Sequence, residues 1–272
     1  MSNLNGLSVV NIEISSECNK SCWMCGRRRL EKEHPELCNF GYMDFELLEK
    51  ITIQIPKEII IQFHSNGEPL LYPRFSDALK LFPNNIKCLN TNGKLLARTE
   101  IREAIKENLN TLTISVIEND PEGDKQLTTV FEFLMNKDFQ KSPLVIFRLL
   151  GNVENKEKWE TLAKVHNCII ATRILHKPEG SFGYTKKVTI PEVGFCQDLY
   201  THLVIDRFGD IFPCVRFDPT KINKLGNIKD MTLEEAWNSN KRLDLLKEHI
   251  KGNRNSSVLC SKCDFYGCST SS

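Results

Sequence analysis

Apolar positions between residues 9 and 175 follow two alternating rhythms. Short runs rich in β-branched residues, at 9–14, 58–63, 86–90, 111–117, 144–149 and 171–175, read as strands. Between them, residues 44–54, 74–82, 101–108, 127–135 and 156–165 place their apolar side chains at helical intervals, as with Phe75, Ala78, Leu79 and Leu81. Asp44 stands where an N-cap is expected, just ahead of Phe45, Leu47 and Leu48. About six such alternations predict βαβ units and a parallel sheet, either open or closed into an incomplete barrel. Both architectures collect functional groups at the C-terminal ends of their strands. Residues 18–25, 65–69, 91–93 and 115 all fall at or just after such ends, so they are expected to share one face.

The rhythm changes near residue 177. Pro178, Gly180, Gly183, Pro191 and Gly194 mark a loop-like stretch at 177–195. Residues 203–206 and 210–214 read as two strands of a hairpin turning at Phe208 and Gly209. Residues 232–249 read as one helix, with Thr232 and Glu235 spaced for a capping box. A boundary near residue 178 therefore divides the chain into domains 1–177 and 178–272.

Composition narrows the function. The chain has 272 residues, 40% hydrophobic and 26% charged, with a formal net charge of +1. That balance excludes a global basic field for nucleic acid, leaving Arg27, Arg28 and Arg29 as a local patch that could contact phosphate. The first fifteen residues are too interrupted for a signal peptide, and no apolar run is long enough to span a membrane. A cytoplasmic protein with neither membrane nor nucleic-acid partner is expected. Eleven cysteines are many for such a chain, and in a reducing compartment clustered cysteines point to metal. Cys18, Cys22 and Cys25 form one group and Cys260, Cys263 and Cys268 another, with Cys196 and Cys214 standing between them. Cys38, Cys88 and Cys168 are isolated and read as small buried hydrophobes.

Three thiolates on one short loop can hold three irons of a [4Fe–4S] cluster and leave the fourth open. A structural zinc site wants four protein ligands, for which His34 is the nearest candidate. The pattern Cys18-Asn-Lys-Ser-Cys22-Trp-Met-Cys25, after a first strand, resembles the CxxxCxxC loop of the radical SAM superfamily. Asn66-Gly67-Glu68-Pro69 resembles that family's GGEP stretch, with Asn66 replacing the first glycine, and Thr91-Asn92-Gly93 resembles its TNG turn. The resemblance implies a partial (β/α)6 TIM-like barrel. It also implies that the open iron chelates S-adenosylmethionine, whose cleavage yields a 5′-deoxyadenosyl radical. Met24 stands where the family usually has an aromatic residue and would pack beside the adenine. Asn66, Gly67, Glu68 and Pro69 would meet the cofactor's ammonium group, Thr91, Asn92 and Gly93 would lie near it, and Ser115 would meet the ribose. Arg148 is a candidate for the cofactor's carboxylate. His64, beside Ser65, is a candidate general base.

The later segment resembles the Twitch and SPASM extensions of the same superfamily. It carries Gly-Asp-Ile-Phe-Pro-Cys at 209–214, Leu-Gly-Asn-Ile at 225–228, Ala236-Trp237 within a helix, then CxxC. The resemblance implies a small hairpin-plus-helix domain whose Cys196, Cys214, Cys260 and Cys263 hold a second [4Fe–4S] cluster, with Cys268 as an alternative ligand. On thiolates and spacing alone, a four-cysteine zinc ribbon stays open. Small enzymes of this layout imply two-electron oxidation of a sugar or aminocyclitol-like alcohol, with the second cluster accepting an electron and a flavodoxin- or ferredoxin-type protein donating to the first. A peptide or protein side-chain maturase is the alternative enzyme. A zinc-binding scaffold or nucleic-acid module is the non-enzymatic alternative.

Overall fold

The computed structural model describes residues 3–136, 143–173, 196–216, 218–261 and 263. The expected boundary near 178, the stretch 177–195 and Cys268 lie outside them. Six strands run in chain order: β1 (Val9–Ile12), β2 (Ile60–Phe63), β3 (Lys87–Thr91), β4 (Thr111–Ile117), β5 (Leu144–Leu150) and β6 (Ile169–Arg173). Each pairs in parallel with its neighbour. Helices α1 (Arg27–Glu33) and α2 (Phe45–Gln54) link β1 to β2, then α3 (Phe75–Lys80), α4 (Thr99–Asn108), α5 (Gly123–Met135) and α6 (Lys156–Val165) fill the later crossovers. The sheet is α/β and partly closed, a partial barrel whose two edges do not pair.

Alternation along the strands explains the layering. Val10, Ile12, Ile61, Phe63, Leu112 and Phe147 point outward and are buried under the helices. The opposite, inner face is polar. Asn11 pairs in register with Gln62, Asn90 with Thr113, and Ser115 with Arg148. A barrel interior filled only by its own side chains is normally branched and apolar. This one is built to face polar atoms.

The segment after residue 196 continues the same sheet. After α7 (Gln197–Thr201), β7 (His202–Ile205) pairs in parallel with β1. β8 (Asp210–Phe212) then turns back antiparallel, and β9 (Gly226–Asn227) follows it. The tight turn needs a left-handed residue, and Gly209 supplies it at φ +88°. Leu203, Ile205, Ile211 and Trp237 join the core that the first six strands share.

Helix ends follow the expected chemistry, with one correction. The Asp44 carboxylate accepts from Leu47 N at 3.1 Å and starts α2. Thr232 and Glu235 form the expected capping box. The single helix expected over 232–249 is instead two, α8 (Leu233–Trp237) and α9 (Asn240–Ile250), because Ser239 is extended and caps the second. Buried Arg242 locks this corner. Its guanidinium stacks on Trp237 and donates to the carbonyls of Trp237 and Leu199, each at 2.9 Å. Among the described residues no helix is long and apolar enough to cross a membrane.

Because β7 shares the core of β1, Leu203→Ala is expected to cost about 2–5 kcal/mol of stability to the whole chain. Urea unfolding followed by tryptophan fluorescence and by circular dichroism should give one coincident transition. Two separate transitions would show that the two halves fold independently.

Candidate functional site

The ends of β1, β2, β3 and β4 converge on the loop that carries Cys18, Cys22 and Cys25. Glu68 N donates to Glu17 O at 2.7 Å, joining the turn after β2 to the start of the cysteine loop. Asn92 Nδ2 donates to Asn19 Oδ1 at 2.8 Å and lies 4.0 Å from Cys18 Sγ. Lys94 Nζ donates to Asn19 O at 3.0 Å and pairs with Glu122 at 2.9 Å. Trp23 Nε1 donates to Glu118 O at 3.0 Å. Lys20 is bonded to Asp120, and both side chains are buried.

Glu68 is the joint of this assembly. Its carboxylate accepts from Thr91 Oγ1 and Asn92 N at 2.7 Å each and from Leu70 N at 3.1 Å. The side chain expected to meet an ammonium group is therefore engaged in holding the turn after β3. Burial raises the Glu68 carboxyl to about 7, against the pull of these hydrogen bonds. Gly67 is required by packing, since a Cβ there would lie 2.2 Å from Ser15 O. Gly93 is required by conformation, at φ +78°. Gln126 is buried and donates to Asn92 O at 2.7 Å and Ser115 O at 2.8 Å, fixing the ends of β3 and β4.

The three thiols feel one another's charge. Burial raises the Cys18 thiol and pushes Cys22 up to about 12; nearby cysteines add to this, while Lys20 opposes it at Cys22 and Arg27 at Cys18. No three His, Cys, Asp or Glu side chains among the described residues lie close enough to hold one metal ion. The donor set of three soft sulfurs around an open side fits an iron–sulfur cluster, whose irons spread over a wider frame. Loading must release the thiol protons that burial favours.

Other predicted residues are placed as follows. Met24 is half-buried beside Cys25. Asn66 N donates to Glu13 Oε1 at 3.1 Å, and burial raises the Glu13 carboxyl to about 6. Pro69 opens a short 3-10 turn. Ser115 and Arg148 are register partners on the polar inner face. Burial, followed by the charges of Arg148 and Arg216, lowers His64 to about 4, so it is neutral near pH 7 and a weaker base than an ordinary histidine. On the same face, both amide atoms of buried Asn11 and Nδ2 of buried Asn90 find no protein partner. Such groups favour a polar ligand. The basic patch is corrected. Arg27 is buried with its guanidinium over Phe40 at 3.8 Å, while Arg28 and Arg29 pair with Glu31 and Glu33 on α1.

The second cysteine group also gathers. Cys214 feels the charge of Cys196, and both Cys196 and Cys260 feel that of Cys263. Burial pushes Cys196 up to about 12 and raises Cys214 and Cys260. Cys260 lies within α10 (Val258–Ser261), and Cys263 N donates to Cys260 O at 3.1 Å. A cavity of about 120 Å3 is lined by Glu13, Ser65 and Asn66 together with Asp206, Cys214 and Arg216. Sequence reasoning missed Glu13, Lys20, Gln126 and Arg242. A charged residue inside a cysteine loop was the available signal for Lys20; the others depend on tertiary contacts.

Fold and site define an α/β iron–sulfur protein with two cysteine groups at one end of a partial barrel. Residues 196–264 match the SPASM family model, an iron–sulfur cluster-binding domain. The FeMo cofactor biosynthesis protein NifB of Methanocaldococcus jannaschii is 26% identical over 174 residues, 59% of this chain and 57% of that protein. This chain thus spans little more than half the length of that relative. The S-adenosyl-L-methionine-dependent 2-deoxy-scyllo-inosamine dehydrogenase of Niallia circulans is 20% identical over 273 residues, covering 94% and 92% of the two chains. The fold is similar to that of BtrN in complex with AdoMet and 2-DOIA, with TM-score 0.59, 19% identity and 94% and 92% coverage. It is also similar to Streptococcus suis SuiB bound to precursor peptide SuiA, with TM-score 0.63, 14% identity, and 96% of this chain over 70% of that one. The chain carries a SPASM-type iron–sulfur cluster-binding domain at residues 196–264 and is similar in fold to these proteins along most of its length.

Two outcomes test this geometry. Gly67→Ala forces the Asn66 turn away from Ser15, and is expected to cost about 1–3 kcal/mol or more and to lower iron uptake, read by thermal unfolding and iron assay. Glu68 binds its proton more tightly folded than unfolded. Its contribution is therefore favourable below about pH 4.5 and is lost as pH rises toward 7. Unfolding free energy compared between wild type and Glu68→Ala across pH 4.5–7 should fall more steeply in wild type, because Glu13 still contributes in the variant.

Proposed function

We propose that this chain is a radical SAM oxidoreductase that removes two hydrogens from a small hydroxylated molecule of sugar or aminocyclitol type. The observation that carries the reading is the convergence of the Asn66 and Asn92 turns on the Cys18–Cys25 loop, with Cys214 lining the same cavity as Asn66. When bound, a [4Fe–4S] cluster and S-adenosylmethionine supply a 5′-deoxyadenosyl radical that takes a hydrogen atom.

The protein's part is placement. Cys18, Cys22 and Cys25 would hold three irons of the first cluster and leave the fourth without a protein ligand from this loop. Met24, the turn 66–69, the turn 91–93 and Ser115 shape the cofactor's berth, and Arg148 offers a cation for a carboxylate. An alcohol carbon that has lost a hydrogen atom reaches the ketone by losing one proton and one electron. Cys196, Cys214, Cys260 and Cys263 would hold the second cluster, which would supply an acceptor for that electron; Cys214 lines the cavity that Asn66 also lines. Half-buried His64 faces the same inner surface but is a weak base, so proton loss does not depend on its basicity alone. A flavodoxin- or ferredoxin-type protein is the donor class that fits the first cluster.

Peptide side-chain maturation is the second reading, supported by the fold likeness to SuiB. The substrate decides between the two. Anaerobic protein is incubated with S-adenosylmethionine, dithionite and either 2-deoxy-scyllo-inosamine and related cyclitols or cysteine-free peptides. The expected result is cyclitol-dependent 5′-deoxyadenosine and a product two hydrogens lighter. Replacing Cys18, Cys22 and Cys25 with Ala should abolish cofactor cleavage, whereas Cys214→Ala should spare cleavage and lose product. Cleavage by the triple variant overturns the cluster assignment, and full turnover by Cys214→Ala overturns the electron-acceptor role.

A further inference from the structure

Lys20 is the one cation between Cys18 and Cys22. Its side chain is 4% exposed and its ammonium is bonded to the carboxylate of Asp120, itself 7% exposed. Desolvating two charges commonly costs as much as their attraction returns, so stability alone is a poor reason to bury such a pair. Its surroundings suggest another reason. Asp120 is held on its own side of the contact: its Oδ1 accepts from Glu122 N at 3.1 Å and its carbonyl from Gly123 N at 3.0 Å, at the start of α5. The pair is therefore anchored outside the cysteine loop. Another cation that reaches the loop, Lys94 from the turn after β3, donates to Asn19 O but is partly exposed and paired with Glu122.

We propose that the buried Lys20–Asp120 pair sets the reduction potential of the cluster held by Cys18, Cys22 and Cys25. This rests on the cluster assignment above and goes beyond it. Reduction adds one negative charge to a centre that three thiolates already make negative. A fixed ammonium inside the loop favours that added electron, and Asp120 offsets part of the effect. In a buried setting these contributions are weakly screened, whereas that of Lys94 is reduced by water. Lys20 is a positioning residue, because it acts through the cluster without touching substrate.

The two members of the pair must then act in opposite directions, which a structural clip would not do. The full chain is reconstituted anaerobically with iron and sulfide. Its midpoint potential is read from the electron paramagnetic resonance signal that S-adenosylmethionine perturbs. Lys20→Met should lower the potential and Asp120→Asn should raise it, each by roughly tenfold in the reduction equilibrium, about 59 mV for one electron. Lys20→Arg should stay close to wild type, and Lys94→Met should move it less than Lys20→Met does. Shifts of the same sign in Lys20→Met and Asp120→Asn, or no shift in either, overturn the inference while leaving the cluster in place. If Lys20→Met takes up no cluster, Asp120→Asn decides alone, and an unchanged or lower potential overturns it. A wild-type chain that binds no iron removes the cluster assignment itself and this inference with it.

Discussion

One buried carboxylate joins the parts of this site. Glu68 receives three hydrogen bonds, from its own turn and from both residues that begin the turn after β3, while its backbone N–H reaches Glu17. An unpaired carboxylate at 2% exposure would be prohibitively costly, so the donors must be present wherever the chain is folded. That requirement makes three strand ends move as one. Asn92 then has a fixed position from which to reach Asn19 and approach Cys18. The cysteine loop is shaped from outside as much as by its own sequence.

Strand β1 supplies the second constraint. It leads into the first cysteine loop and also receives β7, the strand that precedes Cys214 by one hairpin. The separation of the two cysteine groups is therefore fixed through a shared sheet and a shared core. A hinge between independent lobes would let that distance drift. A continuous sheet holds that distance.

Much of the parallel half was legible in the sequence because its strands are short, β-branched and separated by helical spacing. Residues 111–117 and 156–165 were bounded correctly, where Asn110 and Asn155 precede the elements and outward side chains are uniformly apolar. The break between α8 and α9 was not legible, because Trp237 and Leu243 keep an apolar rhythm through Ser239, whose capping role appears only in three dimensions. Nor was the joining of β7 to β1, which depends on a long-range register that no local pattern encodes. The residues of the turns after β2 and β3 were singled out by resemblance, and the structure shows further tasks for them within the protein. Gly67 is needed for a close backbone approach to Ser15, and Glu68 braces the neighbouring turn.

The two cysteine groups are set up for different chemistry by what surrounds them. In both, burial favours neutral thiols, so metal loading must supply the free energy to expel protons. The first group is three sulfurs beside a polar inner face where Asn11 and Asn90 keep buried atoms without protein partners. Unmet buried polar atoms on the inner face favour a polar ligand there. The second group offers four sulfurs, with Ser257 and Asn223 bonded to each other at 3.0 Å beside Cys260. Four thiolates complete the coordination of a cluster, which suits it to exchange electrons and not ligands. The contrast between the groups is therefore one of thiol count, three against four, and of the unmet polar atoms that the inner face of the barrel keeps.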